Sequence, residues 1–189
     1  MLYKDGGALN FNFLKDRTES QFACKNPTMS KAQARAEANH CLNCFDAPCI
    51  KACPTGINIP QFIKRISDDN WVGSADTILQ SNILGLSCSK VCPVEELCVG
   101  SCVHNLDKKP PVQIGRLQEY SMSVFYNERK KDPKKSRGIN RGTDRKVALI
   151  GAGPASLSCA AYLSLSGVKT VIYEKKNVPG GLNSTGIAP

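Results

Sequence analysis

From Thr28 onward the chain reads as helical segments separated by tight turns. Ser30-x-x-Gln33 has the form of a capping box and opens residues 32–39, a run of strong helix formers. Asn58 is placed to cap a second helix, with Pro60 tolerated in its first turn. Ile59, Phe62, Ile63 and Ile66 then recur at i, i+3, i+4 and i+7, which makes one apolar face. Trp71, Ala75, Ile78 and Leu79 repeat the pattern in a third helix. The spacing predicts a short helix over 94–104, with Cys98 and Cys102 at i, i+4 on one face. A longer helix is predicted over 114–129, with Ile114, Leu117, Ser121, Val124 and Phe125 on one side.

After a basic stretch the period changes. Lys146-Val147-Ala148-Leu149-Ile150 reads as an apolar strand, 157–166 as a helix ended by Gly167, and 168–173 as a second strand. Gly151-Ala152-Gly153-Pro154-Ala155-Ser156 fills the first strand-to-helix turn, and Glu174 closes the second strand 21 residues after Gly153. Strand, glycine turn, helix, strand and terminal acid together are the βαβ dinucleotide fingerprint. Gly151 permits the tight turn, and Gly153 lets the backbone approach a pyrophosphate. The helix N-terminus supplies unpaired N–H donors. Ser156 stands where a third glycine is usual, so helix–strand packing is expected to be slightly looser. The Glu174 carboxylate is placed to accept from a ribose hydroxyl and repels a 2′-phosphate, so the expected dinucleotide is FAD or NAD rather than NADP.

Eight of the ten cysteines fall in two arrays, Cys41-x2-Cys44-x4-Cys49-x3-Cys53-Pro54 and Cys88-x3-Cys92-Pro93-x4-Cys98-x3-Cys102. Disulfides need an oxidising compartment, and the N-terminus carries no apolar secretory core. Zinc takes four ligands per site, usually as two separated pairs. Crowded thiols with a Cys-Pro in each array instead match the bacterial ferredoxin run, in which the last cysteine reaches to another cluster. Two 4Fe–4S clusters with crossed ligation are therefore expected. Spacing ranks Cys88 as a ligand, because a thiolate is the ordinary ligand of such iron. Cys24 reads as a free thiol, Cys159 as a small buried residue, and His40 and His104 as packing or surface residues near the arrays.

These elements divide the chain into an irregular segment at 1–29, an all-helical iron–sulfur domain at 30–130, a basic linker at 131–145, and the first βαβ of a Rossmann-type FAD-binding domain at 146–189. The fold class is α followed by α/β. A FAD domain needs further strands after Gly180-Gly181, so the chain is expected to be the front of a larger polypeptide or subunit, inactive alone. The net charge of +9 is concentrated in 129–146, which holds nine basic and two acidic residues. Two clusters with their thiolates would remove roughly three or four of those units. No nucleic-acid recognition motif accompanies the charge, and no apolar run approaches the ~20 residues of a membrane span. A cytoplasmic protein without nucleic-acid or membrane partners is expected.

Cys41-Leu42-x-Cys44-x-Asp46-Ala47-Pro48-Cys49, Leu84-Gly85-Leu86-x-Cys88-x-x-Val91-Cys92-Pro93, Leu97-Cys98-Val99-Gly100-x-Cys102 and Ile114-Gly115-x-Leu117-Gln118 resemble the N-terminal half of dihydropyrimidine dehydrogenase. The small subunit of glutamate synthase shares the plan. The resemblance implies that one cluster takes Cys41, Cys44, Cys49 and Cys102, and the other Cys53, Cys92, Cys98 and Gln118, with Cys88 a bystander. A neutral glutamine ligand should raise that cluster's potential. FAD would lie against Gly151, Ala152, Gly153, Pro154, Ala155 and Glu174, with Gly181 and Leu182 on the FAD-side segment. The complete enzyme would also use NADPH and FMN. It would carry electrons from FAD through both clusters to reduce uracil or thymine in pyrimidine catabolism. The partners implied are the rest of the enzyme or an FMN subunit, in a homodimer or hetero-oligomer. The alternatives are a glutamate synthase-like NADPH oxidoreductase and a non-catalytic metal-binding module.

Overall fold

The computed structural model describes residues 27–131 and 144–186. Cys24 and nearly all of the irregular segment and the basic linker lie outside these residues. Within the described residues the first unit is helical. Its helices are α1 (Lys31–Asn39), α2 (Pro48–Lys51), α3 (Ile59–Ser67), α4 (Trp71–Ser81), α5 (Gly85–Val91) and α6 (Ile114–Lys131), with a 3-10 turn at Val103–Asn105.

Local chemistry starts these helices where the caps are. Gln33 N–H donates to Ser30 Oγ at 3.3 Å while Ser30 N–H donates to Gln33 Oε1 at 2.9 Å, so α1 opens on a complete capping box. Gln61 N–H donates to Asn58 Oδ1 at 3.2 Å at the start of α3. Ile59, Phe62, Ile63 and Ile66 are all buried, and α3 packs on α1 and α4. The α6 helix is the axis of the unit. From Ile114 to Met122 nearly every side chain is buried, because both α4 and α5 pack on it.

The α4 face differs from the one its periodicity predicts. Ala75 and Ile78 are buried, but Ser74 and Thr77 join them while Trp71 and Leu79 stay partly open. The buried hydroxyls are paired: Ser74 donates to Phe62 O at 2.9 Å, Ser121 donates to Ser74 Oγ at 2.9 Å, and Thr77 donates to Gly73 O at 2.9 Å. Small hydroxyl residues let α3, α4 and α6 approach closely without leaving unpaired polar atoms.

The helix predicted over 94–104 is absent. Residues 94–101 form a chain of turns, because Val94 O accepts from both Val99 N (2.9 Å) and Gly100 N (3.2 Å) instead of continuing an i+4 ladder. A Cβ at Gly100 would stand 1.8 Å from Glu95 O, so the turn requires glycine there for space. Cys98 and Cys102 therefore do not share a helix face.

The second unit is a βαβ: β1 (Lys146–Ile150), α7 (Pro154–Leu165) and β2 (Lys169–Tyr173), followed by a short helix α8 (Leu182–Thr185). The strands pair in parallel with Lys146 opposite Lys169 and Ile150 opposite Tyr173. The helix begins at Pro154, directly on the glycine turn and three residues earlier than its apolar pattern suggests, with proline in its first turn. Among the described residues, no helix is long and apolar enough to cross a membrane.

Candidate functional site

Two separate cavities gather the cysteines of the helical unit. The first is lined by Cys41, Cys44, Cys49 and Cys102, with Pro48, Ile59, Ile63, Val112 and Ile114 as its apolar wall. The second is lined by Cys53, Cys88, Cys92 and Cys98, together with Gln118 and Asn82. The turn at 94–101 sends Cys98 to one cavity and Cys102 to the other, and the end of α2 does the same for Cys49 and Cys53. Each array thus serves both cavities.

The thiols ring a space rather than meeting at a point. Among the described residues, no group of three or more His, Cys, Asp or Glu converges tightly enough to hold a single metal ion. Soft sulfur donors around an apolar-walled cavity fit a 4Fe–4S cluster, which is wider than an ion and is bound by thiolates at its corners. An orphaned polar atom also marks the first cavity. His104 is buried there, its ring stacked on His40 with centroids 4.3 Å apart. His104 Nε2 donates to the His40 carbonyl at 3.0 Å, because a carbonyl only accepts, and Nδ1 has no protein partner. Sequence reasoning set this histidine aside as packing; nothing in its local pattern signals the stack, which joins residues 64 apart.

Burial is the leading influence on four of the thiols. It pushes Cys49 up to about 12, with Cys41 and Cys102 adding repulsion to its charged form. Burial likewise pushes Cys92 up to about 11, aided by Cys88. Cys41 and Cys98 are raised for the same leading reason, against partial relief from backbone N–H donors. These four thiols hold their protons at neutral pH, and a thiol that binds a metal must first release its proton.

Gln118 lies on the buried face of α6, and its Nε2 donates to Gly85 O at 2.7 Å. That bond uses the amide nitrogen and leaves the amide oxygen as the donor available to the cavity. Next to it, Glu119 is buried and is held by Lys90 and by Thr28 Oγ1 (2.6 Å), clamping α5 and the segment before α1 onto α6.

In the βαβ unit, Gly151 has φ +86 and Gly153 caps α7 in an extended conformation. A Cβ at Gly153 would meet nothing within 4 Å. The chain itself therefore gives no packing reason for glycine there, whereas a ligand lying against the backbone would. Gly181, with φ +55, approaches Gly153 so closely that a Cβ on it would stand 3.0 Å from Gly153 Cα, and Gly180 N–H donates to Ala152 O at 2.8 Å. The Gly180-Gly181-Leu182 segment thus sits on the Gly151–Ala155 turn, with Leu182 exposed. Glu174 accepts from Ala152 N at 2.6 Å and from Lys176 N at 2.9 Å. These backbone donors, Lys176 first, hold its carboxyl below the ordinary carboxylate range. Its charge is fixed beside the glycine turn, and it also ties β2 to that turn.

A family model for dihydropyrimidine dehydrogenase domain II, 4Fe-4S cluster, matches residues 18–130, and one for an NAD(P)-binding Rossmann-like domain matches 149–188. The chain is 40% identical over 162 residues to a protein of Salmonella typhi named NAD-dependent dihydropyrimidine dehydrogenase subunit PreT homolog, covering 85% of this chain and 38% of that one. It is 38% identical over 161 residues to the PreT subunit of Escherichia coli K12, with the same coverage. It is also 38% identical over 158 residues to the glutamate synthase [NADPH] small chain of that organism, covering 84% of this chain and 33% of the other. The chain spans between 33% and 38% of the length of these relatives.

Proposed function

Since the chain belongs to the dihydropyrimidine dehydrogenase domain II, 4Fe-4S cluster, family, we propose that it is the electron-transfer portion of an NAD(P)H-dependent dihydropyrimidine dehydrogenase. In this reading it works with an FMN-bearing partner or domain that reduces uracil or thymine. The observation that carries the proposal is the sorting of the cysteines, which gives each of two cavities its own set of sulfur donors.

Cys41, Cys44, Cys49 and Cys102 would hold one 4Fe–4S cluster, and Cys53, Cys92, Cys98 and Gln118 the other. When bound, such clusters supply one-electron transfer, and FAD the conversion between a hydride and single electrons. The protein's own part is to place donors and exclude water. Apolar walls from Ile59, Ile63 and Ile114 shield the first cavity, and the Gly85 carbonyl orients Gln118 toward the second. At the βαβ unit, Gly151, Ala152, Gly153, Pro154 and Ala155 form the pyrophosphate turn, Gly181 and Leu182 cover it, and Glu174 presents a carboxylate to a ribose. That carboxylate favours FAD here over a 2′-phosphorylated dinucleotide.

Likeness to the glutamate synthase small chain keeps a second electron acceptor in view. Two measurements test the proposal. Protein purified without air should contain about eight iron and eight acid-labile sulfide per chain; stoichiometric zinc without sulfide in a folded chain would overturn it. In its native assembly, uracil should drive oxidation of NADH or NADPH. Nicotinamide oxidation that instead requires glutamine and 2-oxoglutarate would assign the chain to glutamate synthesis.

A further inference from the structure

The second cavity offers one donor too many. Cys53, Cys88, Cys92, Cys98 and Gln118 all line it, and a 4Fe–4S cluster takes four ligands. The fourth sulfur, Cys88, is not a thiol packed among apolar side chains. Cys88 lies on α5 three residues after Gly85, whose carbonyl anchors Gln118, so the two competing donors are attached to the same short helix. Cys88 Sγ accepts a hydrogen bond from Asn82 Nδ2 at 3.1 Å. Asn82 is itself buried and fixed, with Leu84 N–H donating to its Oδ1 at 2.9 Å. That bond holds the Cys88 sulfur in one orientation on the cavity wall. One turn on, the Cys92 N–H donates to the Cys88 carbonyl at 2.9 Å, and Cys92, a neighbour expected to be a ligand, lines the same cavity.

We infer that Cys88 is an alternative fourth ligand of the cluster in this cavity, interchangeable with Gln118. The inference rests on the reading that the cavity holds a 4Fe–4S cluster. In the exchange, an iron–sulfur bond to Cys88 forms as the iron contact to the Gln118 oxygen breaks. The Cys88 proton leaves to solvent, and no electron is transferred. The two ligand sets differ by one negative charge, so the thiolate set gives the lower reduction potential. Asn82 is the positioning residue for this second set, as Gly85 is for the first.

The test is iron and sulfide content of the full chain, purified without air, in four forms: wild type, Gln118→Leu, Cys88→Ala and the double variant. Wild type and both single variants should hold about eight iron, and the double variant about four. The second cluster of Gln118→Leu should also titrate at a more negative potential than that of wild type. A fall to about four in either single variant, or retention of about eight in the double, overturns the inference. Wild type itself far below eight would instead sink the cluster reading on which the inference stands. Leucine at 118 also removes the bond to Gly85, so the comparison is repeated with Gln118→Asn, which withdraws the amide by one methylene but keeps a buried polar group. Equal iron in Gln118→Asn and Gln118→Asn/Cys88→Ala overturns the inference whatever the leucine variant does.

Discussion

At Cys49 burial and charge act in the same direction. The thiol is pushed from its ordinary 9.0 to about 12, first by burial and then by Cys41 and Cys102. In the metal-free chain the unfolded state therefore loses this proton before the folded state does. As pH rises from about 9 toward 12, the folded form binds more protons than the unfolded form, and stability falls. Thermal melting of the metal-free chain should show a decline in Tm that begins near pH 9. Cys49→Ser, which does not titrate there, should make the decline shallower and leave the part that the raised Cys92, Cys41 and Cys98 contribute; an unchanged slope in that variant rules the explanation out. Metal reverses the demand, since iron binds thiolate, and loading the sites must release protons. Spacing alone marks these thiols as candidate ligands, but their perturbation depends on walls such as Ile59 and Ile114, which come from other parts of the chain and are invisible in the array itself.

The element that matters most to the site is the turn at 94–101. Its apolar and cysteine spacing is compatible with a helix, and a helix would have turned Cys98 and Cys102 the same way. Gly100 decides otherwise: Val94 O captures the amides of Val99 and Gly100, and the backbone folds onto Glu95. Asn105 Nδ2 donates to the carbonyls of Val99 and Gly100, each at 2.9 Å, and holds the turn from the far side. Gly100→Ala places a Cβ 1.8 Å from the Glu95 carbonyl oxygen, a backbone atom that cannot swing aside. The turn must open, at a cost of about 1–3 kcal/mol, and both cysteines move with it. Iron per chain should drop by roughly half or more, since one ligand of each four-ligand cluster is displaced. Full iron with an unchanged melting temperature would show that the turn does not set the cysteine partition. Other elements are legible because their signals are local. The capping box at Ser30 and Gln33, the Asn58 cap and the face of α3 depend on residues within two turns of each other. The Ser74–Ser121 pair does not, since it joins residues 47 apart, and the Asn82–Cys88 bond, though short in sequence, spans the irregular link between α4 and α5, where no period places the two side chains.

Across the whole molecule, the two units carry different cofactor chemistry through different means, side-chain sulfur in one and bare backbone in the other. Glycines are therefore the positions at which the second unit can be tested without disturbing the first. Gly151 and Gly153 look alike in the motif, yet the structure separates their roles. Gly151 adopts φ +86, so Gly151→Ala strains the backbone by roughly 1–2 kcal/mol and should weaken the βαβ fold itself. Gly153 has an ordinary backbone, and the position its Cβ would take is open although Gly181 approaches its Cα from another direction, so Gly153→Ala should leave the fold intact and obstruct only a ligand lying on the turn. Iron content should stay at the wild-type value in both variants, because neither glycine lines either cysteine cavity. FAD retention, read from the flavin released on denaturation of the native assembly, should fall in both. Far-UV circular dichroism and proteolysis of the βαβ unit should change only for Gly151→Ala. If Gly153→Ala retains flavin in full, the dinucleotide does not rest on this turn. Glu174 would then be left with the role its bonds to Ala152 and Lys176 already show, which is to fasten the second strand to the first turn.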